Sequence, residues 1–142
     1  MQLDQHEIDL IRRTHDDLCD RLDGVSEQFY HNLFARAPGL RAMFRSDLGD
    51  QGMRFMTAIG TVVNYLDSPE RLADRLQDLG EGHAALGVSR LHYDPMRDAL
   101  LQTFHDTLGP AWSDDAEAAW RHAFDQVADR MASISEQTAR SA

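Results

Sequence analysis

Apolar residues recur along the chain in steps of three and four, the spacing that places side chains on one face of an α-helix. One such face runs through residues 72–88, LADRLQDLGEGHAALGV, and it consists of Leu72, Leu76, Leu79, His83 and Leu86. The pattern therefore predicts a helix with a histidine where a leucine is expected. Gly80 and Gly82, which weaken a helix by about 1 kcal/mol each relative to alanine, suggest that another group approaches the backbone there.

An imidazole on an apolar face has two explanations. It hydrogen-bonds to the protein, which is the commoner case for a buried polar side chain, or it binds a group that fills the core, such as a metal centre. His83 is not the only example, because His15 lies on a similar face with Ile8, Ile11, Leu18 and Leu22. The residues alone leave both explanations open for His83.

Caps and breakers divide the rest of the chain into helices. Asp4 and Glu7 predict a capping box at the first helix, and Gly24 is expected to end it. The further predicted segments are a helix over 25–37, a short helix after Pro38, a loop over 45–50, a helix over 51–66, a helix from Ser68-Pro69 onward, a connector over 87–94, a helix from Asp94-Pro95 to Gly109-Pro110 and a last helix capped by Ser113. No segment alternates as a strand would, so we predict an all-α fold of about six to seven helices, in one domain spanning 1–142.

Composition narrows the function. The net charge of −10 argues against nucleic acid or an anionic membrane as a partner, since both require clustered Lys and Arg. Cys19 is the single cysteine, so no internal disulfide can form. The N-terminus has no signal-peptide pattern and no run of about 18 apolar residues occurs, so we expect a cytoplasmic protein without membrane insertion.

The common sequence signatures of catalytic and nucleotide sites are absent. The chain contains no G-x-G-x-x-G, P-loop, C-x-x-C, H-E-x-x-H or G-x-S-x-G motif, and its seven histidines are scattered. The chain therefore either takes its chemistry from a bound cofactor or carries out none.

Four segments and a dipeptide together resemble the globins. They are FYHNLFARAPGLRAMF (29–44), QGMRFMTAIGTVVNYL (51–66), LQDLGEGHAALGVSRLHY (76–93) and AW (119–120). Their order and spacing are most similar to bacterial single-domain globins and to the haem domain of flavohaemoglobins. The resemblance covers nearly the whole chain and implies a globin fold around a pocket for haem b, iron protoporphyrin IX.

The resemblance also implies roles for individual residues. His83 matches the proximal histidine that binds haem iron, and Tyr93 matches a tyrosine beside it. Phe44 matches the phenylalanine that packs on the haem face, and Phe55 is expected to wall the distal side. Arg54 matches a residue that reaches a haem propionate, although an arginine on a helix is more often a solvated charge.

On the distal side, Tyr30 and Gln51 match the tyrosine and glutamine that face a gas ligand. Without the resemblance they would be interpreted as a packed aromatic and a solvated first-turn residue. The implied function is reversible O₂ binding for storage, delivery or sensing, with NO and CO as further ligands. The alternative is a nitric oxide dioxygenase that works with a separate reductase, because 142 residues leave no room for a fused one. A haem-free helical interaction domain is the third hypothesis.

One position departs from the flavohaemoglobin pattern. In that subfamily a glutamate fifteen residues after the tryptophan completes a proximal His–Tyr–Glu network. Here Trp120 plus fifteen is Ser135, and the glutamate follows one residue later as Glu136. One residue turns a side chain by about 100° on a helix, so the sequence leaves open whether Glu136 replaces the missing group.

Overall fold

The computed structural model describes residues 2–44 and 48–141, without the side chains of Asp23 and residues 138–141. Over these residues the chain forms α1 (Gln5–Leu18), α2 (Leu22–Arg36), α3 (Leu48–Asn64), α4 (Pro69–Ala85), α5 (Arg90–Leu108) and α6 (Asp114–Ser141). Three short 3₁₀ segments, Cys19–Arg21, Pro38–Met43 and Gly109–Ala111, join them, and no strand occurs in these ranges. The predicted all-α fold is confirmed, including the short helix after Pro38.

The first helix begins as predicted and ends differently. Asp4 accepts a hydrogen bond from the Glu7 amide at 2.8 Å, and Glu7 accepts one from the Asp4 amide at 3.1 Å, which completes a capping box. The predicted stop at Gly24 is wrong. The chain turns through Cys19–Arg21 instead, and α2 runs through Gly24, since only Gly87 and Gly109 have positive φ among the described residues.

A glycine brings α2 and α3 into close contact. A Cβ atom at Gly52 would collide with Ser26 Oγ and would lie 3.1 Å from a ring carbon of Tyr30. The absence of a side chain therefore lets the two backbones cross where Tyr30 and Gln51 are located. Helix α3 begins at Leu48, so the predicted loop over 45–50 is wrong for 48–50, while 45–47 lie outside the described residues.

Helix α4 begins as predicted, with Ser68 at the N-cap and Pro69 in the first turn. Its apolar face is buried at Leu72 and Leu76 but not at Leu86, which is 62% exposed beyond the helix end. Gly80 is the point of close approach that the glycines suggested, since a Cβ there would lie 2.9 Å from Ile134 Cδ1 of α6.

Helix α5 begins earlier than predicted. Its N-cap is Ser89, so Pro95 lies inside the helix rather than in its first turn. Proline cannot donate to the carbonyl four residues back, which belongs to Leu91. Leu91, whose carbonyl lacks this donor, is 85% exposed and lies on the surface of the helix. The predicted stop at Gly109, with φ of 54°, is confirmed.

The helices pack against one another around the core. Helix α4 packs along α6, α2 packs along both α5 and α3, and α1 packs against α6. Ser113 Oγ caps α6 by accepting a hydrogen bond from the Ala116 amide at 3.0 Å, as predicted. None of the described helices combines the length and the hydropathy that a membrane span requires.

Candidate functional site

The described residues leave a cavity of about 1120 Å³, counting its mouth, between α2, α3, α4 and α5. Six of the seven candidate residues line it: Tyr30, Phe44, Gln51, Arg54, Phe55 and His83. The seventh, Tyr93, lines an adjoining cavity of about 750 Å³, again counting its opening, and His83 and Phe55 line both cavities. The fold therefore brings together residues that lie far apart in the sequence.

His83 lies in the last turn of α4 and is partly buried. Its Nδ1 lies 2.7 Å from the carbonyl oxygen of Leu79. A carbonyl can only accept, so Nδ1 carries the ring proton and Nε2 keeps its lone pair. Burial lowers the pKa of His83, and the Leu79 carbonyl opposes this shift only in part. The imidazole is thus neutral at pH 7, the form that binds metals.

The geometry of His83 is compatible with both explanations for an inward histidine. One ring nitrogen satisfies a protein carbonyl, while Nε2 has no hydrogen-bond partner among the described residues. A histidine that binds a metal usually donates its other ring N–H to a carbonyl or a carboxylate, which fixes the tautomer and the orientation of the ring.

Tyr93 lies beside His83, with ring centroids 6.4 Å apart and planes inclined by 29°. It is buried, and burial raises the pKa of Tyr93 to about 12. Glu136 does not join this pair. Its Oε1 accepts a hydrogen bond from Arg90 Nε at 3.1 Å on the exposed side of α6. No hydrogen bond links His83, Tyr93 and Glu136, so Glu136 does not supply the carboxylate of the His–Tyr–Glu network.

Two polar residues of the cavity wall, Tyr30 on α2 and Gln51 on α3, are wholly or partly buried. Tyr30 is 5% exposed and packs edge-on against Phe44, with ring centroids 5.2 Å apart. Burial raises the pKa of Tyr30 to about 12, so its hydroxyl keeps its proton at neutral pH. Gln51 Oε1 is buried without a hydrogen-bond partner. A buried amide atom of this kind is costly unless a ligand satisfies it.

Phe55 stacks on Phe29 with ring centroids 4.5 Å apart, which fixes the apolar wall next to Gln51. The mouth of the cavity is polar instead. Arg54 and Asp78 are exposed there, and His92 is partly buried.

His92 is a mouth residue that the sequence analysis missed. The Ser89 amide donates a hydrogen bond to His92 Nδ1 at 2.9 Å, within the capping box of α5. A backbone amide can only donate, so in the neutral ring Nδ1 accepts and Nε2 carries the proton. The Ser-x-x-His spacing was the available signal, although a capping box normally has Glu or Gln at the third position.

These residues fit an iron porphyrin. Its apolar faces suit the aromatic walls, its metal requires a neutral nitrogen such as Nε2 of His83, and its carboxylates suit a mouth with Arg54 and His92. The amide of Gln51, whose Oε1 atom is buried without a partner, offers a polar contact on the α3 side of the same cavity.

Comparisons with known proteins agree with this assignment. The family model described as Globin matches residues 27–131. A flavohaemoprotein of Rhizobium meliloti is 27% identical over 135 residues, which cover 93% of this chain and 34% of that protein. The chain thus spans about a third of the flavohaemoproteins it matches. An uncharacterised globin-like protein of Aquifex aeolicus is 24% identical, covering 93% of this chain and 94% of that one.

Two solved structures share the fold. An engineered carbene transferase made from a putative nitric oxide dioxygenase of Rhodothermus marinus has a TM-score of 0.88 at 23% identity, covering 98% of this chain and 97% of that one. A bacterial globin of Campylobacter jejuni has a TM-score of 0.84 at 20% identity, covering 96% and 99%. The chain belongs to the globin family. The resemblance drawn from the sequence is confirmed, and family membership implies haem binding.

Proposed function

We propose that this chain binds haem b in the cavity through Nε2 of His83 and reversibly binds O₂, with Tyr30 and Gln51 facing the gas. The observation that carries the proposal is the state of His83: its Nδ1 proton is held by the Leu79 carbonyl, which leaves a neutral Nε2 unpartnered in a cavity wall. Haem supplies the site for diatomic ligands, including NO and CO.

The chain's own residues would act on the ligand by hydrogen bonding. The Tyr30 hydroxyl keeps its proton and can donate it, because burial raises its pKa to about 12. The Oε1 atom of Gln51 is buried without a partner, and the NH₂ group of the same amide can serve as a second donor. Donors held in an apolar cavity stabilise a ligand that gains negative charge, so they would slow the release of O₂.

The mouth would hold the haem carboxylates. Arg54 on α3 and the Nε2–H of His92 on α5 offer donors from two helices. Phe44 and Phe55 would pack against the porphyrin faces and exclude water.

The alternative is nitric oxide dioxygenase activity with a separate reductase. Its support is the similarity to flavohaemoproteins and to a protein described as a putative nitric oxide dioxygenase. The engagement of Glu136 by Arg90 favours O₂ binding instead, because a histidine bonded only to a carbonyl is a weaker electron donor than one in a carboxylate network.

Absorption spectroscopy tests the cofactor assignment. The haem-supplied protein is expected to show a Soret band that His83→Ala loses or strongly shifts. His31→Ala serves as the matched control, because His31 is exposed and lines neither described cavity. Equal spectra for His83→Ala and the unaltered protein would disprove the ligand assignment.

Stopped-flow kinetics separate the two functions. The oxygenated protein is mixed with excess NO, with and without a flavin reductase and NADH. A single oxidation of haem without sustained nitrate production supports O₂ binding as the function. Many turnovers per haem with the reductase present would favour the dioxygenase.

A further inference from the structure

Three metal-ligating side chains converge at the end of α1, where none of them lines either cavity. They are His15, Asp16 and Cys19, and their ligand atoms all lie within 4.8 Å of one another. His15 and Cys19 are four residues apart, one helical turn, and Cys19 continues the helical geometry with φ of −59° and ψ of −29°. His15 Nδ1 and Cys19 Sγ are consequently only 3.8 Å apart.

The tertiary structure orients the His15 ring. A Cβ at Gly60 of α3 would lie 3.7 Å from both Cε1 and Nε2 of His15, so α3 packs against that edge of the ring. The other ring nitrogen, Nδ1, lies next to Cys19. Burial lowers the pKa of His15 despite the opposing effect of Asp16, which favours the neutral imidazole that metals bind. Asp16 and Cys19 are exposed, so a cation can reach the cluster from solvent.

The kinds of ligand atom in the cluster determine which metal ion it prefers. A thiolate, an imidazole and a carboxylate together suit a borderline-soft cation such as Zn²⁺, whereas Mg²⁺ and Ca²⁺ prefer oxygen ligands alone. Zinc bonds of about 2.3 Å to sulfur and about 2.0 Å to nitrogen, at a tetrahedral angle, place the two donors about 3.5 Å apart. The observed distance of 3.8 Å between His15 Nδ1 and Cys19 Sγ therefore requires only a small adjustment of the side chains.

We propose that His15, Asp16 and Cys19 form a Zn²⁺ site, separate from the haem cavity, with water as the fourth ligand. When zinc binds, the Cys19 thiol gives its proton to solvent and the thiolate coordinates the metal. The site would join the last turn of α1 to the Cys19–Arg21 segment, where the chain turns into α2.

Alkylation of Cys19 tests this proposal directly, because the chain has a single cysteine. The haem-loaded protein is treated with a chelator, dialysed, and reacted with iodoacetamide at increasing Zn²⁺. One equivalent of zinc per chain is expected to slow alkylation at least tenfold, while Mg²⁺ leaves the rate unchanged. His15→Gln is expected to need about tenfold more zinc for the same protection, and Asp16→Asn several-fold more.

Asp20→Asn is the matched control, since Asp20 is an exposed neighbour of Cys19 outside the cluster, and its zinc requirement is expected to stay the same. Unslowed alkylation of the unaltered protein, or an unchanged zinc requirement in His15→Gln, would overturn the site. Should His15→Gln fail to fold, an unchanged requirement in Asp16→Asn has the same consequence. Half an equivalent of zinc with dimers in sedimentation would show a site between two chains and also overturn the proposal.

Discussion

Arg90 Nε donates a hydrogen bond to Glu136 Oε1 over 3.1 Å, and Arg90 also pairs with Asp129 at 2.7 Å. Glu136 is therefore held on the surface, and the buried Tyr93 lies beside His83 without it. The single-residue offset of this glutamate thus removes a carboxylate from the environment of the proposed iron ligand.

This relationship predicts how two variants change the haem iron–histidine stretching frequency in resonance Raman spectra. Glu136→Gln is expected to leave the frequency unchanged, because the side chain does not reach the proximal pair. Ser135→Glu is expected to raise it, since Ser135 is partly buried at the position where flavohaemoglobins carry the carboxylate. A lowered frequency in Glu136→Gln would show that Glu136 acts on His83 after all.

The buried distal hydroxyl predicts slow O₂ release. Tyr30→Phe removes one donor and keeps the ring that packs on Phe44. A hydrogen bond worth about 1–2 kcal/mol in an apolar site corresponds to roughly tenfold faster dissociation of O₂, measured by stopped-flow displacement with CO. Tyr65→Phe is the control, because Tyr65 lies outside both described cavities with its ring near Arg75. An unchanged rate in Tyr30→Phe would remove Tyr30 from the proposed site.

The sequence predicted the helices because they depend on repeating local patterns, and it predicted most residues of the cavity through the resemblance to the globins. The three-and-four spacing located α4 and placed His83 inward, and the resemblance assembled Tyr30, Phe44 and Gln51 around it. Boundaries that depend on tertiary packing were predicted wrongly. Gly24 by itself predicts a stop, yet it lies inside α2 because the chain has already turned from α1 into α2 at Cys19–Arg21.

Contacts between residues that lie far apart in the sequence also could not be predicted. The partner of Glu136 is Arg90, 46 residues away, and no local rule pairs them. His92 was missed because its nearest sequence signal is a helix cap, and only the fold shows that the capping ring also lines the cavity.

The mouth of the cavity predicts how fast haem is lost. His92→Glu preserves the capping box, because glutamate is favoured at the third helical position. It also places a negative charge near the proposed site of the haem carboxylates. A pair of like charges near a surface costs about 1 kcal/mol. We therefore expect the transfer of haem to apomyoglobin to accelerate several-fold. Arg54→Glu is expected to act in the same direction.

Asp78→Asn is the complementary variant, because it removes a negative charge from the same mouth and is expected to slow haem loss. Faster transfer in Asp78→Asn, or unchanged transfer in both His92→Glu and Arg54→Glu, would place the haem carboxylates elsewhere.

The crossing of α2 and α3 predicts opposite effects for two glycine substitutions. Gly52→Ala is expected to lower the free energy of unfolding by about 1–3 kcal/mol, since the new Cβ collides with Ser26 Oγ. Adding Ser26→Ala should recover part of the loss. Gly24→Ala is the control, because nothing lies within 4 Å of its Cβ position and alanine favours the helix by up to about 1 kcal/mol. Urea unfolding followed by circular dichroism measures all four proteins.

Burial of Tyr30 predicts a loss of stability in alkali. Its pKa is about 12 in the folded protein, against 10.0 for a solvated tyrosine. A group that holds its proton more tightly when folded contributes stability below the unfolded pKa and loses it as the pH rises to the folded pKa. The free energy of unfolding of the haem-free protein is therefore expected to fall between pH 10 and about pH 12, by roughly 2–3 kcal/mol for this tyrosine.

In Tyr30→Phe this part of the decline should disappear, whereas Tyr65→Phe should keep it. An identical pH dependence in Tyr30→Phe and the unaltered protein would mean that the Tyr30 hydroxyl is solvated in the folded state.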